Sequence, residues 1–235
     1  MNINLFTSFI KNDTPFIFAK FGDGEYLAAR GGEGNGGNCD GTPYTPKLSE
    51  GVINSFKYLT GQQNVYIARW VHNGVDAYFQ SLTENQIMWT DYNIFIFKSI
   101  DQYFSEQAEF YSAIRNSKRQ KIYICNSTMT DRSKHLLNID NHVIVDSVNW
   151  FENNYDEVLK SVISVVKDPN NVMILSSAGM GAKVLIADLH KLFSKAFIID
   201  IGSAMDLVFG GRRSRDFHYN FSDYQVDFIR KSLAT

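Results

Sequence analysis

Cysteine is scarce in this sequence: there are two, Cys39 and Cys125, far apart and without the paired spacing of a zinc site, and too few for a disulfide framework. That scarcity points to a reducing, cytoplasmic setting. Charge of one sign is lacking as well. A formal net charge of −2 and a pI near 6.2 leave no basic stripe for nucleic acid, and Arg212, Arg213 and Arg215 form too short a cluster to supply one. No apolar run is long enough for a transmembrane segment. The start, MNINLFTSFIKNDTPF, has neither a basic leader nor a small-residue cleavage site, so any membrane association is expected to be peripheral. Repeats, low-complexity tracts and long linkers are missing too. His72, His135, His142 and His190 show no metal-ligand spacing and read as structural. What is present is a globular composition, 44% hydrophobic, sufficient for one domain over residues 1–235.

The apolar residues of Ile3 to Ile10 fall at helical spacing, and PFIFAKF reads as a strand from Pro15 to Phe21. A helix is expected from Pro46 to Tyr58, with Pro46 in its first turn, followed by the strand NVYIARW. The segment NIFIFKSI fits a strand or a buried helix equally. KIYICNS and HVIVDSV read as strands, and Phe151 to Val166 as one long helix. NVMILSS has almost no polar alternation, as a parallel strand covered on both faces would. AGMGAKVLIADLHKLF is then a glycine turn opening a helix, and AFIIDIGSA a last strand with its exit loop. Strands alternating with helices imply an α/β fold: a single Rossmann-like domain with a mainly parallel sheet and helices on both faces.

Two loops at expected strand ends carry the chemistry, because ligands of open parallel sheets bind outside the carboxyl ends of the strands. In KFGDGE, Asp23 and Glu25 flank a glycine. They suit an ordinary turn, or they could share a divalent ion: in extended backbone, side chains two apart point the same way, and Mg²⁺ or Mn²⁺ is commonly held by one or two carboxylates plus phosphate oxygens. As exposed loop acids, both should be removable at little cost in stability. In SSAGMGAK, backbone N–H groups at a helix start could hold a phosphate, with Gly179 and Gly181 allowing close approach; the alternative is a tight turn needing small residues. The loop lacks the full dinucleotide fingerprint and the P-loop ending.

Several further residues remain open between site and scaffold. Asp200 and Asp206 flank IGSAM, where either could act as a general base, or Asp200 could cap a turn and Asp206 start a helix. His218 and Arg215 could hold a phosphate or a sugar hydroxyl, or belong to an exposed basic loop. Asn38, Asp40 and Tyr44 suit sugar hydroxyls and ring faces, as well as turns. Trp70, Trp89 and Trp150 could stack on sugars, but with aromatics at 14% of the chain each reads first as core.

KFGDGE, from Lys20 to Glu25, resembles the Arg-Phe-Gly-Asp-Gly-Glu opening of the glycosyltransferases of the GT-D fold. Here Lys20 stands for the arginine, keeping the charge but losing the planar fork. VMILSSAGMGAKVLIADLHKL followed by AFIIDIGSAMD is similar in order to that family's strand, small-residue loop, helix and Asp-Ile-Gly strand end. The likeness spans Lys20 to Asp206. The loop GGEGNGGNCDGTPY looks longer than the family's, and GGRRSRDFH is not its usual ending.

The resemblance implies Asp23 and Glu25 as ligands of Mn²⁺ or Mg²⁺. It also implies a nucleotide site built from Phe21, Gly22 and Gly24 in the first motif and Ser177, Gly179, Met180, Gly181 and Lys183 in the second. Asp206 is then the candidate catalytic base, with His218 in reserve. The function implied is transfer of a hexose or pentose from a nucleotide-sugar donor, foremost a UDP-sugar, to a hydroxyl of a lipid- or protein-linked glycan acceptor. The setting would be synthesis of surface polysaccharide or of glycoprotein glycans. A Rossmann-type enzyme using a dinucleotide or methyl donor and a noncatalytic glycan-binding module are the competing readings.

Overall fold

In the computed structural model, which describes residues 2–34, 36–38, 40–97 and 104–234, seven strands form one sheet. They are β1 (Ile17–Phe21), β2 (Val65–Arg69), β3 (Met88–Asp91), β4 (Gln120–Cys125), β5 (Asn141–Ile144), β6 (Val172–Ser176) and β7 (Phe197–Asp200). The spatial order is β3-β2-β1-β7-β6-β4-β5 and every pairing is parallel, giving an α/β fold with a fully parallel sheet. All carboxyl ends therefore lie along one edge. There the chain, having wound outward from β1 to β3, restarts on the other side at β4, with β7 returning beside β1.

Helices α1 (Ile3–Lys11), α2 (Asp23–Ala29), α3 (Pro46–Thr60), α4 (Val75–Ser81) and α5 (Phe104–Asn116) belong to the first half of the chain. The second half supplies α6 (Thr130–Leu137), α7 (Trp150–Asn153), α8 (Tyr155–Val165), α9 (Ala182–Leu192) and α10 (Asp223–Ala234). They cover both faces of the sheet. Phe16 and Phe18 turn to the layer of α1, α5, α6 and α10, while Ile17, Ala19 and Phe21 turn to that of α2, α3, α4, α8 and α9. This two-sided burial is why the strands read as continuous apolar runs. Phe6 of α1 anchors the first layer against Phe16, Phe18, Tyr66 and Phe95.

Two readings of the sequence change. Phe151 to Val166 is not one helix: Asn154, at φ −133°, separates α7 from α8, and two consecutive asparagines of low helix propensity mark the break. Ile94 to Phe97 form neither strand nor helix. They are a buried irregular segment whose Phe95 stacks on Phe110 at 4.4 Å and whose Phe95 carbonyl accepts from the Tyr111 hydroxyl at 2.9 Å. Strand β3 and helices α2, α4, α5, α6 and α10 were not legible, because short or weakly amphipathic segments carry little periodic signal. The end of NIFIFKSI and Cys39 lie outside the described residues. No helix among the described residues is long and apolar enough to cross a membrane.

Candidate functional site

Strand β1 delivers Lys20 and Phe21 to the carboxyl edge, and α2 begins two residues later with Gly22 as its N-cap. Asp23 and Glu25 thus lie in the first turn of a helix, where carboxylates complement the helix dipole. This corrects the extended geometry expected for the pair: helical residues two apart diverge by about 200° around the axis. Asp23 is exposed, and its Oδ1 accepts from the Gly24 N–H at 3.0 Å. Glu25 is buried. Its Oε2 accepts from the Gly22 N–H at 2.9 Å, reaching back from the third helical position, and its Oε1 lies 2.9 Å from Lys183 Nζ.

Lys183, in the first turn of α9, also meets Asp200 Oδ2 at 2.8 Å and donates to the Gly179 carbonyl at 3.1 Å. Its three N–H donors are all taken inside the protein. Burial opposes its charge, but the Asp200 and Glu25 carboxylates outweigh that effect and hold its pKa above the ordinary lysine range. Lys183 therefore ties three strand ends together and is not available as the phosphate ligand expected from SSAGMGAK. Asp200 does cap a turn, accepting from the Gly202 N–H at 3.0 Å, and it also accepts from the Lys20 N–H at 3.3 Å.

The loop after β6 does reach the acid loop. A Cβ on Gly24 would stand 3.3 Å from Met180 Sδ, so the loops following β6 and β1 touch at one edge. Gly179, at φ +66°, opens onto free space, as close approach of a ligand to backbone requires. Gly181 serves packing instead: a Cβ there would meet Trp150 and Phe151 at 2.8–2.9 Å. Ser177 is held by neighbouring segments, its hydroxyl 2.8 Å from that of Tyr123 in β4 and donating to the Gly202 carbonyl, beyond β7, at 2.6 Å. Phe21, although it ends β1 at that edge, turns its ring into the core against Phe56 and Phe79. Trp150 is buried too, its indole N–H donating to the Ala178 carbonyl at 3.1 Å.

Lys20 is a functional candidate that sequence reasoning treated only as a variant of the motif. It is 4% exposed, and its ammonium lies 4.2 Å from the centre of the Tyr92 ring with no salt bridge to a carboxylate among the described residues. Burial lowers its pKa to about 8, against the opposing pull of Asp200 and Glu25. The signal was in the sequence: a lysine inside the otherwise apolar run PFIFAKF. Burial likewise raises the pKa of Tyr92, with Glu25 adding to the shift.

Beyond β7, Asp206 opens a π-helical turn, Asp206–Gly210, and accepts a short hydrogen bond from the Ser214 hydroxyl. Burial raises its pKa, partly offset by Ser214 and Arg215. Arg215 reaches across to Asp40 in a bidentate pair, at 2.9 and 2.6 Å, joining the loop after β7 to the one after α2. His218 does not suit the role of reserve base. It is 2% exposed, its Nδ1 accepts from the Ser214 and Arg215 N–H groups, and its Nε2 lies 3.1 Å from the Ser203 carbonyl. Both ring nitrogens are engaged, and burial pushes its pKa down to about 4, so it stays neutral and braces the loop.

The donor set can be tested against a divalent ion. Among the described residues no three His, Cys, Asp or Glu side chains cluster to hold a metal, so water or phosphate oxygens would have to complete any shell. Asp23 fits a site built from one carboxylate plus ligand phosphates. Chelation by both acids would require Glu25 to leave Lys183.

No protein-family model and no curated protein matches the chain. Two solved structures do, each at 18% identity and covering 96% of this chain and 92% of their own. One, at a TM-score of 0.65, is of the highly conserved domain of unknown function 1792, described as having a distinct glycosyltransferase fold. The other, at 0.64, is a selenomethionine-substituted structure of that domain. This chain has a glycosyltransferase fold. At that identity the likeness is one of backbone fold.

Proposed function

We propose that this chain is a metal-dependent glycosyltransferase of the GT-D type, transferring a sugar from a nucleoside diphosphate donor, foremost a UDP-sugar, to a hydroxyl of a glycan acceptor. The observation that carries the reading is that one edge of a glycosyltransferase fold carries, three residues apart, an exposed helix-start carboxylate, Asp23, and Lys20, a nearly buried cation without a salt bridge among the described residues. Mn²⁺ or Mg²⁺ would be held from Asp23, with Glu25 fixing the helix start beneath it. When bound, such an ion stabilises charge developing on a departing diphosphate. Lys20 would supply a further positive charge at the end of β1, and the open backbone at Gly179, in the loop after β6, would take a phosphate oxygen.

Beyond β7, at the same sheet edge, Asp206 is proposed as the base that takes the acceptor proton. Its raised pKa brings a carboxylate closer to the working range of a general base. The acceptor is proposed as a carrier-linked glycan in surface polysaccharide or glycoprotein synthesis, reached from the cytoplasm.

The test is release of UDP from a panel of UDP-sugars with Mn²⁺, with and without chelator. Metal-dependent release supports the reading. Cofactor binding without metal would favour a Rossmann-type enzyme using a dinucleotide or methyl donor. No binding of any nucleotide would favour a noncatalytic glycan-binding module.

A further inference from the structure

The functional reading above uses the ends of β1, β6 and β7 and leaves those of β2 and β3 without a task. There the chain opens a cleft of about 500 Å³ whose lining includes Trp70, His72, Trp89, Thr90, Tyr92 and Asn93. Trp70 and Trp89 are half-buried, and the Trp70 ring meets Tyr92 edge-on at 5.0 Å and His72 at 5.3 Å. Thr90 is 5% exposed, and its hydroxyl has no hydrogen-bond partner among the described residues. Buried hydroxyls are rarely left so, and a bound water or a ligand atom can complete the bonding. Two indoles and a buried unpaired hydroxyl suit a planar, heteroatom-bearing ring.

Tyr92 joins this cleft to the proposed diphosphate site. Its ring lies under the Lys20 ammonium, and a Cβ on Gly22 would meet its hydroxyl at 2.6 Å. Neighbouring strands are about 4.8 Å apart, so the edge presents in sequence the aromatic cleft at β3 and β2, Lys20 and Asp23 at β1, and Asp206 beyond β7. A nucleoside diphosphate sugar has the same linear order of base, diphosphate and sugar. We propose that the cleft holds the donor's nucleoside, its base against the Trp70 and Trp89 indoles and a polar atom of the base or ribose on the Thr90 hydroxyl. The assignment rests on the glycosyltransferase reading for the place of the diphosphate. An acceptor sugar could also stack on indoles, but it must meet Asp206, on the opposite side of β1.

The test uses the full chain without metal and four probes, UMP, CMP, AMP and GMP, with methyl glucoside as the sugar control. Binding is read by tryptophan fluorescence and ligand-observed NMR. At least one nucleotide is expected to quench saturably, and Trp70→Ala and Trp89→Ala are each expected to weaken it about tenfold. Thr90→Val keeps the side-chain shape and removes an unpaired hydroxyl, so it should weaken the same nucleotide several-fold while leaving Tm unchanged or raised. No response to any nucleotide, equal affinity in all three variants, or a response to methyl glucoside alone would overturn the assignment. Nucleotide binding in the cleft without metal-dependent sugar transfer would overturn the transferase reading and leave the cleft standing. Transfer with an unaltered KM for the donor in the tryptophan variants would do the reverse.

Discussion

Lys183 Nζ lies 2.9 Å from Glu25 Oε1, and both side chains are almost wholly buried. Sequence reasoning places one in a phosphate loop and the other in a metal loop; the fold makes them partners. With Asp200 at 2.8 Å as the second partner, the cluster clamps β1, β6 and β7 at the edge where ligands bind. Removing the cation strands two buried carboxylates. Lys183→Met should therefore lower unfolding free energy by about 3–5 kcal/mol. Urea denaturation checks this, and a loss below about 1 kcal/mol would mean that the cluster is not a clamp.

The two acids of KFGDGE should behave differently. Asp23→Ala is expected to cost under about 1 kcal/mol of stability while abolishing Mn²⁺-dependent nucleotide binding. Glu25→Ala should cost about 3 kcal/mol, because it unpairs half of the Lys183 cluster and the Gly22 N–H. Parallel melting curves and calorimetric UDP titrations separate the two; equal stability losses would refute the division of roles.

Lys20 is the opposite case to Lys183, a buried ammonium that Asp200 and Glu25 attract but with which no carboxylate among the described residues forms a salt bridge. Lys20→Met should leave stability unchanged or raise it, since burial of the charge is not repaid by an ion pair. Nucleotide affinity should fall about tenfold or more, as loss of a charged hydrogen bond to phosphate implies. Unaltered affinity would remove Lys20 from the site.

Asp206→Asn should retain UDP and metal binding and slow transfer by about a hundredfold or more if it removes the base of an inverting reaction. Product configuration and turnover with the true acceptor decide this. Near-normal turnover, or retained configuration, removes the role.

His218 predicts a pH dependence. Its pKa is about 4 in the folded chain, below the ordinary value of about 6.5, so between these limits the unfolded chain binds more protons. Stability should climb as pH rises from about 4 to 6.5, by up to about 3 kcal/mol, and be lost on acidification through that window. His218→Gln should flatten the slope in urea titrations at pH 4.5, 5.5 and 6.5. An unchanged slope would show that the group is not neutral and buried.

The sequence by itself determined the α/β class and six of the seven strands, because strands buried on both faces must be continuously apolar, as in NVMILSS and PFIFAKF. It also determined that α3 starts at Pro46 and that both unusual loops follow strands. Tertiary structure alone decided what those loops do with their side chains. That Glu25 turns inward while Asp23 turns out depends on α2 starting at Gly22. That Lys183 is occupied depends on β7 lying between β1 and β6, a strand order no local pattern encodes. His218 and Phe21 looked like site residues, but both ring nitrogens of His218 are engaged within the protein and the Phe21 ring packs on Phe56 and Phe79; Tyr92 and Thr90 gained significance only from neighbours distant in the chain. Local pattern follows from the backbone's period and the need to bury apolar area. Pairing of charges across strands follows from how the whole chain packs.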